Sequence, residues 1–281
     1  MAERTGGILK TFVIAETGST WRIGAKQKLH LAYAMKCIRT AKAAGADCVK
    51  FQWCSQPGLM AERRHIHNVG AYNLLAWPVE WLPLLAAECE EAGIEFLCTV
   101  FIPADVPTIA PFVKRFKIAS LEAMDLELFE ACEQQRKPII LSCGAMSYED
   151  LGGVVSSVGS CEQDIKLLHC VAAYPAPINQ MNLGVFRSVH GSPFSAMSGL
   201  SDHSGDPLTG ALAVACGAEI IEVHFRLDET RADNPDFQHS HSPKGLASYI
   251  SNIRKAERML GDGIKKVEAC EAPMLQHRVT R

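Results

Sequence analysis

Eight short apolar segments alternate with helical patterns along the chain, and this alternation limits the possible fold more than any other feature of the sequence. The segments are apolar on both faces, as strands are when helices cover both sides of a parallel sheet. The predicted strands are residues 11–15, 48–52, 95–100, 115–118, 138–142, 165–170, 196–201 and 220–224. The predicted helices are one that ends near Gly45 and then residues 77–92, 105–112, 126–135, 148–158, 207–216 and 243–260.

Eight strand–helix units joined by right-handed crossovers predict an α/β protein with a (β/α)8 barrel, also called a TIM barrel. We expect residues 1–281 to form this barrel as a single domain. An open doubly wound sheet is the alternative, but it requires a glycine-rich phosphate turn after the first strand, and residues 15–19 (AETGS) do not provide one. The Gly, Asn and His content of Trp53 to Ala76 predicts a long surface loop there.

Composition argues against several classes of partner. The net charge of −3 gives no basic excess for nucleic acid, and no apolar stretch approaches the ~20 residues that span a bilayer. The first ten residues lack the apolar centre of a signal peptide. The eleven cysteines have irregular spacing and form no C-x-x-C motif, so we expect them to be reduced. These features predict a cytoplasmic protein without membrane or nucleic-acid partners.

Two histidines lie where neighbouring predicted strands end. His203 follows the seventh strand in Ser201-Asp202-His203, and His224 ends the eighth. Because the carboxyl ends of barrel strands meet at one mouth, these imidazoles can converge on a divalent metal with positions left open for substrate. The alternative is that each is a hydrogen-bonded interior histidine. The residues alone leave both interpretations open.

Two lysines, Lys50 and Lys117, lie inside apolar strands, where a charge is costly unless it is paired. A bound phosphate or carboxylate would balance both ammonium groups, and hydroxyls at other strand ends would add neutral donors. The alternatives are a lysine that forms a Schiff base, as in class I aldolases, and internal ion pairs. The hydroxyls are those of Thr99, Ser120, Ser142 and Ser201, and the internal partners considered are Glu16, Glu122 and Asp202.

Ten segments occur together in a characteristic order. They are IAETG at 14–18, AGADCVKFQ at 44–52, FLCTVF at 96–101, FKIASLE at 116–122, KPIILSCG at 137–144, LLHCVAAYP at 167–175, NQMNL at 179–183, GLSDHS at 199–204, GAEIIEVHF at 217–225 and PDFQHS at 235–240. In this order they resemble the sialic acid synthase (N-acetylneuraminate synthase-like, NeuB-type) family, which includes synthases of legionaminic and pseudaminic acids.

The resemblance implies a barrel enzyme that condenses phosphoenolpyruvate with the open-chain aldehyde of an acylated amino sugar or related aldose. The products would be a 2-keto sugar acid and phosphate. It implies a divalent metal held by His203 and His224, most often Mn²⁺, with Mg²⁺ or Co²⁺ possible, and a homodimer is expected. The implied catalytic residues are Glu16, Lys117, Glu122 and Asp236. The implied substrate-binding residues are Lys50, Gln52, Thr99, Ser120, Ser142, Tyr174, Asn182, Ser201, Asp202 and Ser240.

The chain departs from the family pattern on the side of the sugar acceptor. Ser19–Gly24 stands where the family has an Asn-His-Asn-Gly run, and Val223 stands where a lysine usually precedes the second metal histidine. We also expect the family's C-terminal antifreeze-like domain to be absent. These departures predict an unusual acceptor or a partner that completes the pocket, and a non-catalytic sugar-phosphate-binding barrel is the remaining alternative. Residues considered for the acceptor side are Trp21, Arg22, Arg63, Arg64 and His65.

Overall fold

A closed barrel of eight parallel strands forms the centre of the protein, and an antiparallel hairpin precedes it. The computed structural model describes residues 3–5, 8–23, 31–66, 70, 72–158, 164–188 and 197–279. The hairpin strands are β1 (Glu3–Thr5) and β2 (Ile8–Lys10). The barrel strands are β3 (Phe12–Glu16), β4 (Cys48–Gln52), β5 (Glu95–Val100), β6 (Phe116–Ile118), β7 (Ile139–Ser142), β8 (Ile165–Cys170), β9 (Met197–Asp202) and β10 (Ile220–His224).

Helices follow the barrel strands and cover the sheet. They are α1 (Leu31–Ala44), α2 (Pro57–Arg63), α3 (Trp81–Ala92), α4 (Val106–Ile109), α5 (Leu126–Glu133), α6 (Tyr148–Val158), α7 (Val185–Ser188), α8 (Thr209–Ala215) and α9 (Pro243–Leu260). Short 3₁₀ segments span Tyr72–Leu75, Pro103–Asp105, Ala110–Phe112, Ser120–Glu122, Ile178–Gln180 and Ala269–His277. The predicted (β/α)8 barrel is confirmed, and each strand lies within one residue of its predicted bounds. One domain over residues 1–281 stays a prediction.

Local sequence signals explain where several helices begin and end. The side chain of Asp125 accepts a hydrogen bond from the Leu128 N–H at the start of α5, and Ser242 does the same for Gly245 at the start of α9. At the end of α3, Gly93 takes the left-handed conformation (φ 66°), which costs glycine little. Among the described residues, no helix is both long and apolar enough to cross a membrane.

The alternation of side chains along each strand builds two layers inside the barrel. A lower layer is apolar and consists of Ile14, Cys48, Leu97, Ile140, Leu168 and Ile220, which pack together. Two positions further along the same strands, the inward side chains are Glu16, Lys50, Thr99, Ser142, Cys170 and Glu222. The polar layer therefore begins where the apolar floor ends, on the carboxyl side of the barrel.

In the segment from Trp53 to Ala76, the described residues are more ordered than the predicted surface loop, and for them that prediction is wrong; residues 67–69 and 71 lie outside the described part of the chain. The segment contains α2 and a 3₁₀ segment, and the side chains of Trp53, Met60 and Leu75 are buried. The indole of Trp53 donates to the Trp77 carbonyl at 2.9 Å. Trp53 belongs to an aromatic cluster with Trp21, Trp77 and Trp81, in which neighbouring rings lie 6.1–6.4 Å apart. The polar composition of this segment therefore gave no indication that Trp53 packs against aromatic residues from distant parts of the chain.

Candidate active site

A cavity of about 520 Å³ opens at the carboxyl end of the barrel strands. Side chains from β4, β6, β7, β9 and β10 reach it, together with side chains from the loops that follow the strands. Ten of the residues predicted from the sequence line this cavity. They are Lys50, Gln52, Lys117, Ser120, Ser142, Tyr174, Ser201, His203, His224 and Asp236.

Two buried lysines on one side of the cavity are held by carboxylates of the protein itself. Lys50 forms an ion pair with Glu16 and lies 3.5 Å from Glu222 Oε1. Lys117 Nζ lies 4.0 Å from the other Glu222 oxygen and donates to Ser142 Oγ at 2.7 Å. Glu222 therefore lies between the two ammonium groups. We call Glu16, Lys50, Lys117 and Glu222 the lysine cluster.

The lysine cluster is formally neutral, yet its two lysines differ. Burial lowers the pKa of Lys50, but the carboxylates of Glu16 and Glu222 outweigh this effect and raise its pKa overall. Burial dominates at Lys117, and its pKa is lowered despite the attraction of Glu222. Burial also raises the pKa of Glu16, against the opposing effect of Lys50. Lys50 is therefore the firmly charged lysine, and Lys117 is the one whose charge is less well compensated.

Glu222 is the residue of this cluster that the sequence analysis did not single out. Its side chain is buried, and it accepts a hydrogen bond from Ser201 Oγ at 3.1 Å. The signal was present, because Glu222 is a charged residue inside an apolar strand, as Lys50 and Lys117 are. It also precedes His224 by two positions, which places both side chains on the inner face of β10.

Imidazoles occupy the other side of the cavity. The ring centroids of His203 and His224 are 5.2 Å apart, and that of His239 is 4.7 Å from His224. His203 Nδ1 lies 3.2 Å from the Val171 carbonyl, which leaves Nε2 for another partner. Within the described part of the chain, ligand atoms of His224, Asp236 and His239 lie within 4.8 Å of one another. We call these residues and His203 the imidazole cluster.

The imidazoles are in the protonation state that metal binding requires. Burial lowers the pKa of His203 to about 4 and lowers the pKa of His224 well below its ordinary value. Both rings are therefore neutral at pH 7, and a neutral imidazole offers a nitrogen lone pair. The buried His224 Nδ1 also has no hydrogen-bond partner in this structure. The chemistry of these donors therefore fits a divalent metal, and metal binding by His203 and His224 stays a prediction.

The sequence of this barrel matches a known family model. The model of the NeuB family matches residues 37–265. The chain belongs to the NeuB family. This confirms the family membership that the ten segments indicated, and with it the identification of the chain as a synthase-type enzyme.

NeuB-family relatives of known name are similar over most of the chain. Pseudaminic acid synthase of Campylobacter jejuni is 31% identical over 274 residues, which cover 90% of this chain and 76% of the relative. An N,N'-diacetyllegionaminic acid synthase of the same species is 32% identical over 278 residues, which cover 93% and 81%. A crystal structure of N-acetylneuraminic acid (sialic acid) synthetase from Leptospira borgpetersenii, with citrate, has a TM-score of 0.83, is 27% identical, and covers 99% of this chain and 96% of that one.

Several residues that the resemblance implied do not line the cavity. Glu16 and Thr99 lie beneath it, each in contact with Lys50, whose Nζ donates to Thr99 Oγ1 at 2.8 Å. Asn182 is exposed in the loop after β8. Ser240 Oγ donates to the Asp236 carbonyl at 2.5 Å and so holds the loop that carries Asp236.

Asp202 also lies outside the cavity, which corrects its predicted contact with substrate. Its carboxylate accepts hydrogen bonds from Tyr249 Oη at 2.7 Å and from the Ser204 N–H at 2.8 Å. The reason is the alternation of β9, which turns Ser201 inward and Asp202 outward toward α9. The Ser201-Asp202-His203 motif therefore contributes its first and third side chains to the cavity and its second to packing between strand and helix.

Arg64, which was considered for the acceptor side, lines this cavity, whereas Glu122 does not line it and lies instead in an adjoining cavity of about 320 Å³ that Arg64 also lines. Glu122 is buried and pairs with Arg64, whose guanidinium faces the rings of Tyr72 and Phe101 at 5.1 and 5.8 Å. Of the five residues considered for this side, Arg64 is the one found in the cavity lining. Trp21 belongs to the aromatic cluster, Arg22 donates to the carbonyls of Asn73 and Ala76, Arg63 pairs with Asp125 and Glu127, and His65 is exposed.

Proposed function

We propose that this NeuB-family enzyme condenses phosphoenolpyruvate with the open-chain aldehyde of an acylated amino sugar or related aldose. The new carbon–carbon bond gives a 2-keto sugar acid, and phosphate is released. One observation carries the proposal: three members of the lysine cluster, Lys50, Lys117 and Glu222, line the same cavity as the imidazole cluster. The relatives named pseudaminic acid synthase and N,N'-diacetyllegionaminic acid synthase support the same reaction class.

The lysine cluster is suited to the anionic substrate. Phosphoenolpyruvate carries a phosphate and a carboxylate, and two ammonium groups with nearby hydroxyls can bind both. Lys117 is the better candidate for the developing negative charge, because its attraction to Glu222 acts over 4.0 Å and does not fully offset the cost of burial. Ser120 and Ser142 line the cavity beside it and can donate to the remaining oxygens, whereas Ser201, also in the lining, already donates to Glu222.

The reaction needs proton transfer after the carbon–carbon bond forms. The methylene carbon of the enol ester attacks the aldehyde carbon, and water adds to the cationic enol carbon. The tetrahedral intermediate then loses phosphate. Glu122 is our candidate for handling the proton of that water or of the C2 hydroxyl. Burial raises the pKa of Glu122 while Arg64 opposes the rise, and a carboxyl with a raised pKa is suited to proton transfer near neutral pH.

His203 and His224 would hold a divalent metal, with Mn²⁺ expected and Mg²⁺ or Co²⁺ as alternatives. Such an ion supplies Lewis-acid chemistry that polarises the aldehyde oxygen. The two imidazoles are buried and neutral. Tyr174 packs against the ring of His203, with centroids 4.3 Å apart, and helps to fix the orientation of that ring.

Phosphate release from phosphoenolpyruvate with Mn²⁺ across a panel of aldoses tests this proposal. We expect release only when one class of aldose and the metal are both present, and mass spectrometry of the product gives the acceptor. Release that is unchanged by chelation, or that never depends on any aldose, would overturn the metal-dependent condensation. Controls without enzyme and with heat-treated enzyme correct for spontaneous hydrolysis.

A Schiff-base aldolase is a second candidate, because Lys117 has the lowered pKa that such a lysine requires. Borohydride reduction with pyruvate traps a Schiff base as a covalent adduct that intact-protein mass spectrometry detects. The condensation predicts no adduct. An adduct lost in Lys117→Ala would favour the aldolase.

The remaining expectations concern the protein's setting. A homodimer and a cytoplasmic location stay predictions, as does the absence of nucleic-acid and membrane partners. Light scattering on the purified chain measures the oligomeric state directly. A barrel that binds a sugar phosphate without catalysis would bind phosphoenolpyruvate in that purified form and yet release no phosphate with any aldose.

A further inference from the structure

A third imidazole, His239, faces the same cavity, although the sequence analysis assigned it no role. Its ring centroid lies 4.7 Å from that of His224 and 6.1 Å from that of His203. Its side chain is only 1% exposed, and neither of its ring nitrogens has a hydrogen-bond partner. A buried polar group without a partner is costly, so such a group in a native protein calls for an explanation.

The two carboxylate oxygens of Asp236 have different surroundings. Its Oδ2 accepts hydrogen bonds from the Ser19 N–H at 2.7 Å and from Ser19 Oγ at 2.6 Å. Its Oδ1 has a different environment and lies 3.5 Å from His239 Nε2. The loop that carries it is fixed, because the Asp236 N–H donates to Asn234 Oδ1 at 3.0 Å and Ser240 holds the Asp236 carbonyl. One carboxylate oxygen is thus anchored, and the other faces His239.

We propose that His239 and Asp236 are metal ligands, and that the centre of this enzyme has four protein donors where the resemblance implies two. The proposal rests on the proposed metal-dependent function. Ligand atoms of His224, Asp236 and His239 already lie within 4.8 Å of one another, and the ring of His203 borders this group. Three imidazoles and one carboxylate would hold the ion and would still leave room for a substrate oxygen and water.

Metal binding by Asp236 would also change its role toward the sugar acceptor. If Asp236 binds the metal through Oδ1, the lone pair that faces the metal is no longer free to accept a hydrogen bond from a sugar hydroxyl. The catalytic role that the resemblance implies for Asp236 would then change to metal binding.

Mn²⁺ titration of the intact protein, followed by the electron paramagnetic resonance signal of free Mn²⁺, tests the proposal. Loss of a residue that only orients a metal ligand typically costs 10–100-fold in affinity, so we expect His239→Gln to raise the Kd by at least about tenfold. His277→Gln is the matched control, because it removes an exposed imidazole far along the chain from the cluster, and it should leave the Kd unchanged. Equal affinity in wild type and His239→Gln would overturn the proposal.

A count of the coordinated nitrogens provides a second readout. Electron spin echo modulation of bound Mn²⁺ should detect imidazole nitrogens from His203, His224 and His239 in wild type, and one fewer in His239→Gln. His239→Asp offers a carboxylate donor and should recover part of the affinity. An unchanged nitrogen signal in His239→Gln would overturn the proposal, as would His239→Asp binding no better than His239→Gln. Circular dichroism of the metal-free variants establishes that each is folded.

The same experiments separate this inference from the proposed function. If wild type binds Mn²⁺ through two imidazoles and condenses phosphoenolpyruvate with an aldose, the inference fails and the proposed function stands. If wild type binds no Mn²⁺ at all, the inference fails, and the phosphate-release assay with chelator then decides whether a metal-independent condensation remains. A four-donor site in a protein that releases no phosphate would support the inference and reject the proposed reaction.

Discussion

The two sides of the cavity differ in whether their buried polar groups have partners within the protein. In the lysine cluster, each ammonium group has a carboxylate of the protein within 4.0 Å, and the formal charges cancel. In the imidazole cluster, three rings lie close together. Nitrogens of His224 and His239 have no hydrogen-bond partner within the protein. The charges of the first side have counterions within the protein, whereas the second side has buried ring nitrogens without a hydrogen-bond partner.

This difference indicates how each side must respond to substrate. An anion that enters the lysine cluster has to compete with Glu222, so binding involves rearrangement of existing ion pairs. A cation that enters the imidazole cluster finds neutral lone pairs already in position and displaces no internal hydrogen bond of His239. We therefore expect the metal side to be preorganised and the anion side to adjust.

The largest expected effect follows from removal of the less compensated lysine. Loss of one charged donor to a transition state commonly costs about 10²–10³ in rate, so Lys117→Ala should lower kcat by this factor. Steady-state phosphate release measures it. Lys114→Ala is the control, because Lys114 is exposed and lies three positions earlier. A Lys117→Ala enzyme with near-normal kcat would show that the lysine cluster plays no part in the chemistry.

Removal of Glu222, the carboxylate between the two lysines, should lower the stability of the fold. Glu222→Gln leaves Lys117 without its carboxylate, and breaking a buried pair costs about 3 kcal/mol of stability. Inorganic phosphate should restore part of this loss, because it can replace the carboxylate between the lysines. Urea denaturation with and without phosphate measures both effects. Glu229→Gln breaks an exposed pair with Lys36 and should change little. If phosphate stabilises Glu222→Gln no more than wild type, the lysines do not form an anion site.

A smaller effect is expected on the acceptor side. Arg64 lines the cavity and holds Glu122, whereas Arg63 pairs with Asp125 and Glu127 nearer the surface. We expect Arg64→Ala to raise the KM for the aldose by about tenfold, the equivalent of one or two lost hydrogen bonds. The KM for phosphoenolpyruvate should change much less, and Arg63→Ala should resemble wild type. Equal effects of the two variants would remove Arg64 from the acceptor pocket.

The smallest effect concerns a histidine outside both clusters. Burial lowers the pKa of His169, although the Met181 carbonyl, 2.9 Å from Nε2, opposes this. The unfolded chain therefore binds a proton near pH 6.5 that the folded chain does not, and the free energy of unfolding falls as the pH drops through that value. Urea denaturation should show that the stability advantage of wild type over His169→Gln shrinks between pH 7 and pH 5. An advantage that is constant or grows would contradict this assignment.

The sequence was sufficient to predict the barrel and most inward side chains of the site. Strands apolar on both faces have few possible arrangements, and residues at their carboxyl ends must share one mouth. This argument placed Lys50, Lys117, His203 and His224 together. It could not assign partners, because whether Lys117 meets a bound anion or Glu222 depends on the register between strands.

Asp202 was misplaced although a local pattern was available, whereas the other features that were missed depended on contacts that no local pattern records. Asp202 was grouped with its motif neighbours, although strand alternation alone directs it outward to Tyr249. His239 lies in the loop after β10, and loop geometry brings it back to the barrel mouth. The aromatic cluster joins Trp21 to Trp53, Trp77 and Trp81 across segments whose local composition is partly polar.

The most direct test of the account is a crystal structure of the enzyme with Mn²⁺ and phosphoenolpyruvate, with anomalous differences recorded for manganese. We expect a manganese peak in the imidazole cluster and phosphate density beside Lys50 and Lys117, both within the one cavity. A manganese peak elsewhere, or phosphoenolpyruvate bound outside the barrel mouth, would contradict it.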